Sequence, residues 1–413
     1  LPTWNVSGAW NVHEENFFNS ISKAVSHLSL KASYSLTADR PSVTNALAVI
    51  QSYSPWRPSA GVTESGLTIK DLENSDLTYE KKHELNIGAD LGFLDNRINL
   101  TVDWYKRDNF DLIGLVMTQG IGGQIQKYGN VATMKSRGIE FSLSTKNIKT
   151  KDFSWTTDFI YSHMKNEVTK FNTSTRAFNL VSGIGFSREG YPVNSLFSYD
   201  FRGLNEDGVP TFINEAGVLT STDINFQETE RFDNLVYSGP SEPTDVGSFG
   251  NIFQYKGLRL NVFITYSFGN VVRLDPVFSS IYNDLDAMPR EFRNRWMTPG
   301  DERYTDVPAI VSSRQVRNDS KLSYAYNAYN YSTARIAKGD FIRMKEISLT
   351  YDFPKRWIKK LRFSNMSLKL QATNLFLIYA DKKLNGQDPE FFNTGGVAVP
   401  VPKQFTLTLK IGL

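Results

Sequence analysis

Four histidines, His13, His27, His83 and His163, are the side chains of this chain best suited to hold a metal ion or move a proton. They are scattered and none forms an HExxH pair, so no zinc centre is expected. Asn205-Glu206-Asp207-Gly208 opens like a calcium loop, but no glutamate closes it at the required spacing, which leaves a turn. Gly120-Ile121-Gly122-Gly123 stands outside any strand-to-helix unit and is a flexible loop rather than a dinucleotide fingerprint. No catalytic residue, cofactor or metal site is expected, and the chain is not expected to be an enzyme.

The remaining candidates are aromatic. Tyr53, Trp56, Trp296, Tyr324, Tyr326, Tyr329, Tyr331, Phe391 and Phe392 lie in polar segments. Flat rings there can stack on a sugar face or pack against a peptide, or they can tie long loops to one another and to a partner protein. The densest cluster, YAYNAYNY from Tyr324 to Tyr331, is the foremost candidate for a substrate- or partner-binding loop.

The elements that must position these rings are strands. The chain has 413 residues, 40% hydrophobic and 13% aromatic, with a net charge of +3. That charge is too small to argue for nucleic acid. Cysteine is absent, which excludes disulfides and thiolate metal sites. No run of about eighteen apolar residues exists, which excludes a spanning helix but not a spanning barrel, whose strands are short and half apolar. The start, LPTWNVSGAW, lacks the features of a signal peptide and reads like a strand.

Strict alternation marks eleven strands. Trp4 to Val12 and Leu28 to Leu36 come first, followed by a long polar segment from Asp39 to Glu80. Leu85 to Phe93 and Ile98 to Trp104 form a hairpin across Leu94-Asp95-Asn96. Ile139 to Leu143, Phe153 to Tyr161, Gly247 to Tyr255, Leu258 to Phe268, Phe341 to Tyr351, Met366 to Phe376 and Lys403 to Leu413 complete the series. Short connections alternate with excursions at Asn109 to Met134, Met164 to Asp245, Gly269 to Asp340 and Tyr379 to Pro402. Such asymmetry is that of an outer-membrane barrel, with tight periplasmic turns and long extracellular loops.

Rings sit at both strand ends, as interfacial girdles require: Trp10, Phe93, Phe153, Trp155, Tyr255 and Tyr351 near the short turns, and Trp4, Trp104, Tyr161, Tyr266 and Phe376 near the long loops. The opposite faces carry Lys31, Glu84, Asp90, Asp103, Glu140, Asp158, Asn261, Lys369 and Gln371, suited to a wet or plugged lumen. On Phe341 to Tyr351 simple alternation puts Arg343 and Lys345 on the apolar face, so they are expected at the outer interface, reaching head groups. Eleven strands beginning outside and ending in the periplasm do not close, because single-chain bacterial barrels have even strand numbers.

The blocks LPTWNVSGAWNVHEENFF, LTYEKKHELNIGADLGFLDNRINLTVDWYKRDNFDLI, GNVATMKSRGIEFSL, KGDFIRMKEISLTYDFPKRWIKKLRFSNMSLKLQATNLFLI and NGQDPEFFNTGGVAVPVPKQFTLTLKIGL resemble the C-terminal part of SusC/RagA-type TonB-dependent outer-membrane transporters of Bacteroidetes. The resemblance implies an all-β fold, an antiparallel transmembrane β-barrel of about 22 strands with an N-terminal plug in its lumen. Residues 1–413 would be its C-terminal half, with signal peptide, TonB box and plug absent from this chain. It implies the partners too: a SusD-like surface lipoprotein over the mouth, TonB acting on the plug, the first half of the same barrel, outer-membrane lipid, and a glycan or peptide ligand.

Two other readings compete with import of oligomeric nutrients. One is a structural or adhesive barrel component that binds a protein partner without transport. The other is a soluble β carbohydrate-binding protein. The terminal strand, with Phe405, Leu407, Leu409, Ile411 and Leu413 on one face, is expected to pair on one side with Met366 to Phe376 and on the other with a strand outside this sequence. Leu409→Asp, taken as its lipid-facing middle, is expected to cost about a few kcal/mol.

Overall fold

The computed structural model describes residues 2–40, 46–54, 65–120, 125–183, 188–277, 290–359, 362–391 and 401–412. Its main element is one antiparallel sheet of eleven strands in chain order. The wall strands are β1 (Trp4–Trp10), β2 (Val25–Asp39), β3 (Glu80–Phe93), β4 (Ile98–Met117), β5 (Gln126–Lys149), β6 (Phe153–Phe171), β7 (Asp245–Tyr255), β8 (Leu258–Phe268), β9 (Phe341–Asp352), β10 (Asn365–Ala380) and β11 (Gln404–Gly412). Each corresponds to one of the alternating runs read from sequence. Among the described residues β1 pairs only with β2, and β11 only with β10. No helix of the described residues is long and apolar enough to cross a membrane.

Tight turns fix the register on the side of the short connections. Leu94, Asp95 and Asn96 all take left-handed backbone angles, with φ of 51°, 55° and 57°, so the four residues Leu94 to Arg97 suffice to reverse β3 into β4. Lys256, at φ 53°, and Gly257 reverse β7 into β8. Glycine is required at 257 because a Cβ there would lie 2.6 Å from the Asp352 carbonyl oxygen.

One face of the sheet is apolar and open. Val6, Ile87, Phe249, Leu349, Leu370, Phe405 and Leu407 are all exposed large hydrophobics on it. Leu349, Leu370 and Leu407 stand side by side in one row of the register. A contiguous surface of this kind is far beyond the isolated apolar residues of a water-facing sheet. Its one polar step described here is satisfied within the face, where Asn251 Oδ1 accepts from Trp155 Nε1 at 2.9 Å and from Thr157 Oγ1 at 2.8 Å.

Aromatic rows bound this face. Phe153, Tyr255 and Tyr351 share one row through Leu258. Phe141, Tyr161 and Tyr266 share another through Gly247, eight residues away along β6. Eight residues span about 27 Å of strand. At a tilt of about 40° that is about 20 Å of height, comparable with the roughly 25 Å apolar band of an outer-membrane barrel.

Four expectations need correction. Leu409 is level with Leu368 and Tyr351, in the aromatic row, so the middle of the apolar band on β11 lies at Phe405, partner of Ala372. The penalty for Leu409→Asp is therefore smaller than a midplane position would give. β1 ends at Trp10, and Val12 is buried in a 3-10 turn instead of continuing the strand. The excursion expected at Asn109 to Met134 is mostly strand, because β4 and β5 continue pairing to Met117–Gln126. β4 keeps apolar residues past Asn109, but register shifts around Asp111, at φ 57°, break the alternation while the ladder continues.

The fourth concerns Arg343 and Lys345. Phe263 pairs with Glu346 and Ile264 with Met344, which leaves Lys345 as the extra residue of a β-bulge. One inserted residue exchanges the faces. Met344 and Ile342 thus continue the apolar face, while Arg343 turns to the polar one and is 4% exposed.

The face assignment is testable at neighbouring residues. Val262, level with Asn251 and Ile347, lies midway between the aromatic rows, and Asn261 lies on the other face beside Glu346. Val262→Arg should lower unfolding free energy in detergent or bilayer by about 2–4 kcal/mol. Asn261→Arg should leave it nearly unchanged; equal effects measured by denaturant titration would contradict the two-faced sheet.

Candidate functional site

The excursions after β6 and β8 fold against each other. Their core joins Ala177, Leu180 and Val181 with Phe197, Tyr199, Phe212, Phe226, Leu235, Val277, Ala328 and Tyr329. The helix α1 (Ala177–Ser182) buries three apolar residues on one side and stops at Gly183, whose φ of 69° supplies the left-handed cap. Strands Ser195–Tyr199 and Leu235–Pro240 pair above the wall. Asn205 Oδ1 accepts from the backbone N–H of Asp207 and Val209 at 3.1 and 2.8 Å, so the NEDG segment is an Asx turn between two short strands.

A second helix, α2 (Ser313–Asn318), is capped by Ser312 and precedes α3 (Leu322–Asn330). The YAYNAYNY cluster is largely α3, and its 3.6-residue period separates the rings. Tyr326 and Tyr329 are 1% and 2% exposed, whereas Tyr324 is 50% exposed. Tyr326 donates its hydroxyl to the Ala309 carbonyl at 2.8 Å. Burial pushes the Tyr329 hydroxyl up to about 12. Burial also raises Tyr199, whose hydroxyl has no hydrogen-bond partner among the described residues. These interior rings hold the loops to one another.

The rings that face outward form a shelf. Phe178, 42% exposed on α1, meets half-buried Tyr331 edge-on at 5.9 Å. Phe226 lies 6.3 Å from Tyr331 and 6.5 Å from Tyr324, forming the floor between them. Phe178 was not among the sequence candidates, because a single phenylalanine in a polar segment carries no signal until the fold places it beside Tyr331. Below the shelf, the Arg273 guanidinium stacks 5.3 Å from the Tyr331 ring and donates to the carbonyls of Val181 and Phe197 at 3.1 and 2.8 Å. Burial lowers its pKa to about 10, so it stays charged at neutral pH.

The other candidates are dispersed. Tyr53 is exposed on a hairpin formed by Val49–Tyr53 and Gly66–Asp71. Trp296 is half-buried, its ring packed where a Cβ on Gly208 would fall and its Nε1 donating to Glu302 at 3.2 Å. Phe391 is half-buried in the turn Pro389–Phe391. Trp56 and Phe392 lie outside the described residues. Histidines 13 and 27, far apart in sequence, have ring centroids 4.1 Å apart, but among the described residues no group of three His, Asp or Glu side chains could hold a metal.

Residues 2–375 match the family described as TonB dependent receptor-like, beta-barrel. The chain belongs to this family. It is 26% identical over 400 residues to the TonB-dependent receptor P3 of Formosa agariphila, covering 92% of this chain and 37% of that protein. It is 25% identical over 425 residues to the TonB-dependent receptor SusC of Bacteroides thetaiotaomicron, covering 98% of this chain and 39% of that protein. The solved structure of the RagAB peptide transporter superposes with a TM-score of 0.77 at 25% identity, over 99% of this chain and 43% of that one. The chain thus spans about two fifths of the length of these relatives.

In this TonB-dependent receptor-like barrel sheet, the polar face carries a charge network. Lys31 pairs with Asp90, which also accepts from Thr101 Oγ1 at 3.0 Å. Arg107 meets Glu84 at 3.1 Å, and Glu346 takes Gln371 at 2.9 Å and Lys369 at 3.7 Å. Arg343 binds Asp388 at 2.5 Å and Glu390 at 3.2 Å, which fastens the segment after β10 to the wall. That segment is fastened again at Leu384, packed with Val272, Leu274 and Ala337, and at Asp381, which accepts from the N–H groups of Lys338 and Lys383 at 2.9 Å each.

Two outcomes follow. Tyr329→Ala should destabilise the loop domain by about 3–5 kcal/mol and expose it to protease, while Tyr324→Ala should stay within about 0.5 kcal/mol; limited proteolysis distinguishes them. Burial alone would raise the Asp381 carboxyl, but the Lys383 and Lys338 N–H groups and lysine charges hold it below its usual range. A depressed carboxyl stabilises fully above its unfolded pKa of about 3.9 and loses that contribution as pH falls through the folded value. Amide protection at Lys338 and Lys383, corrected for the intrinsic exchange rate, should therefore fall below about pH 4, and Asp381→Asn should abolish that pH dependence.

Proposed function

We propose that the chain forms the C-terminal half of the barrel and the outer mouth of a TonB-dependent transporter that imports oligomeric nutrients, glycans or peptides, across the outer membrane. The observation that carries this reading is the exposed apolar face between two aromatic rows, backed by a charged face. Lipid suits the first and a polar lumen the second. The long excursions then lie outside the cell and the short turns in the periplasm.

Ligand is held between the loop domain and a SusD-like surface lipoprotein, which covers the mouth. TonB, acting on a plug supplied by the rest of the transporter, opens the path along the polar face. Tight capture slows release, so inward movement needs that energy input. No step is catalytic. RagAB is a peptide transporter by its description. That likeness and the stacked shelf of Phe178, Tyr331 and Tyr324 support an oligomer with flat or apolar surfaces.

The protein should fractionate with outer membranes and need detergent for extraction; release by salt or alkali alone would refute the barrel reading. In the full-length transporter, Phe178→Ala with Tyr324→Ala should weaken uptake about 2- to 10-fold per ring while leaving the barrel intact. Unchanged uptake combined with loss of lipoprotein binding would assign the shelf to the partner instead of the ligand.

A further inference from the structure

Beyond the upper aromatic row, the apolar face turns basic at one level. Lys106 on β4 is the register partner of Arg137 on β5, and Arg137 is the partner of Lys165 on β6. All three side chains are exposed. Their face is fixed by their neighbours. Trp104, two residues before Lys106, is exposed on the apolar face, whereas Tyr105 is buried on the other, where a Cβ on its partner Gly138 would fall 2.5 Å from the ring. Strands lie about 4.8 Å apart and rise about 3.4 Å per residue. The three cations therefore span about 10 Å, some 7 Å beyond Trp104.

Like charges placed opposite one another on neighbouring strands are destabilising. Compensation within the chain is thin. Lys106 Nζ is 3.4 Å from Asp108, and Arg137 and Lys165 have no ion pair among the described residues. The next row outward alternates instead, with Asp108, Lys135 and Glu167 in register. The uniform row is confined to the level where the apolar band gives way to head groups.

We infer that Lys106, Arg137 and Lys165 together bind the phosphate of an outer-leaflet lipid headgroup. This rests on the reading that the long excursions lie outside the cell. A phosphate offers several acceptor oxygens, takes a guanidinium bidentately, and can bridge to the flanking lysines. Trp104 sits directly beneath the row, level with Ile139 and His163, and Tyr161 lies one row lower, so amphipathic rings stand below the cations where they meet head groups. A soluble anion would match the charge but not this position above a lipid-facing surface.

The test titrates the full-length transporter in detergent with a monophosphorylated lipid A-type disaccharide lipid, its phosphate-free counterpart and inorganic phosphate, read by native mass spectrometry. The triple variant K106Q/R137Q/K165Q should bind the phosphorylated lipid about fivefold more weakly per cation removed and the phosphate-free lipid as well as the unmodified protein does. Equal retention of the phosphorylated lipid by both proteins overturns the inference. Displacement by equimolar inorganic phosphate also overturns it, in favour of a free anion. If the triple variant does not fold, Arg137→Gln alone carries the comparison. A protein that proves soluble without detergent defeats the membrane reading, whereas one that inserts without phosphate preference defeats only this site.

Discussion

A sheet with one face in hydrocarbon can leave no backbone N–H or C=O unpaired, and the wall of this chain is arranged by that constraint. It explains why eleven strands pair strictly with their chain neighbours. It also explains why β1 and β11, each with one partner among the described residues, are edges that need further strands before the sheet can rest in a membrane. Side chains are then free to differ on the two faces, one matched to lipid and the other to a wet interior.

The loop domain obeys a different rule. It lies beyond the apolar band, so it must exclude water with its own core, and it does so with aromatic residues drawn from two excursions. Arg273 and Arg335 are built into this interior. Arg335 is paired with Glu291 and stacked 5.9 Å from Tyr329, and it donates to the Asp275 carbonyl. Buried charges so placed are satisfied in only one arrangement of the loops.

The wall was legible because period-two alternation survives in sequence wherever one face meets oil. It ceased to be legible where that condition ended. β6 continues past Met164 as a largely polar ladder with no alternation to read, and in β4 past Asn109 the register shifts around Asp111 break the parity of residues that are still apolar. The bulge at Lys345 misled for a related reason, since one extra residue inverts parity without changing composition. In the candidate site, YAYNAYNY was visible as an aromatic cluster, but only the helical period of α3 sorts Tyr324 from Tyr326 and Tyr329. Phe178 depended wholly on tertiary placement.

The shared core of the loop domain also constrains how the molecule is made. Residues from Ala177 to Leu235 contribute one part of it and residues from Val277 to Tyr329 the other, with the β7–β8 hairpin between them. Neither excursion completes this core alone, so the unit finishes folding only when both are in place. Until then each excursion exposes aromatic chain, which makes this unit the part of the molecule most prone to misassociation before folding is complete.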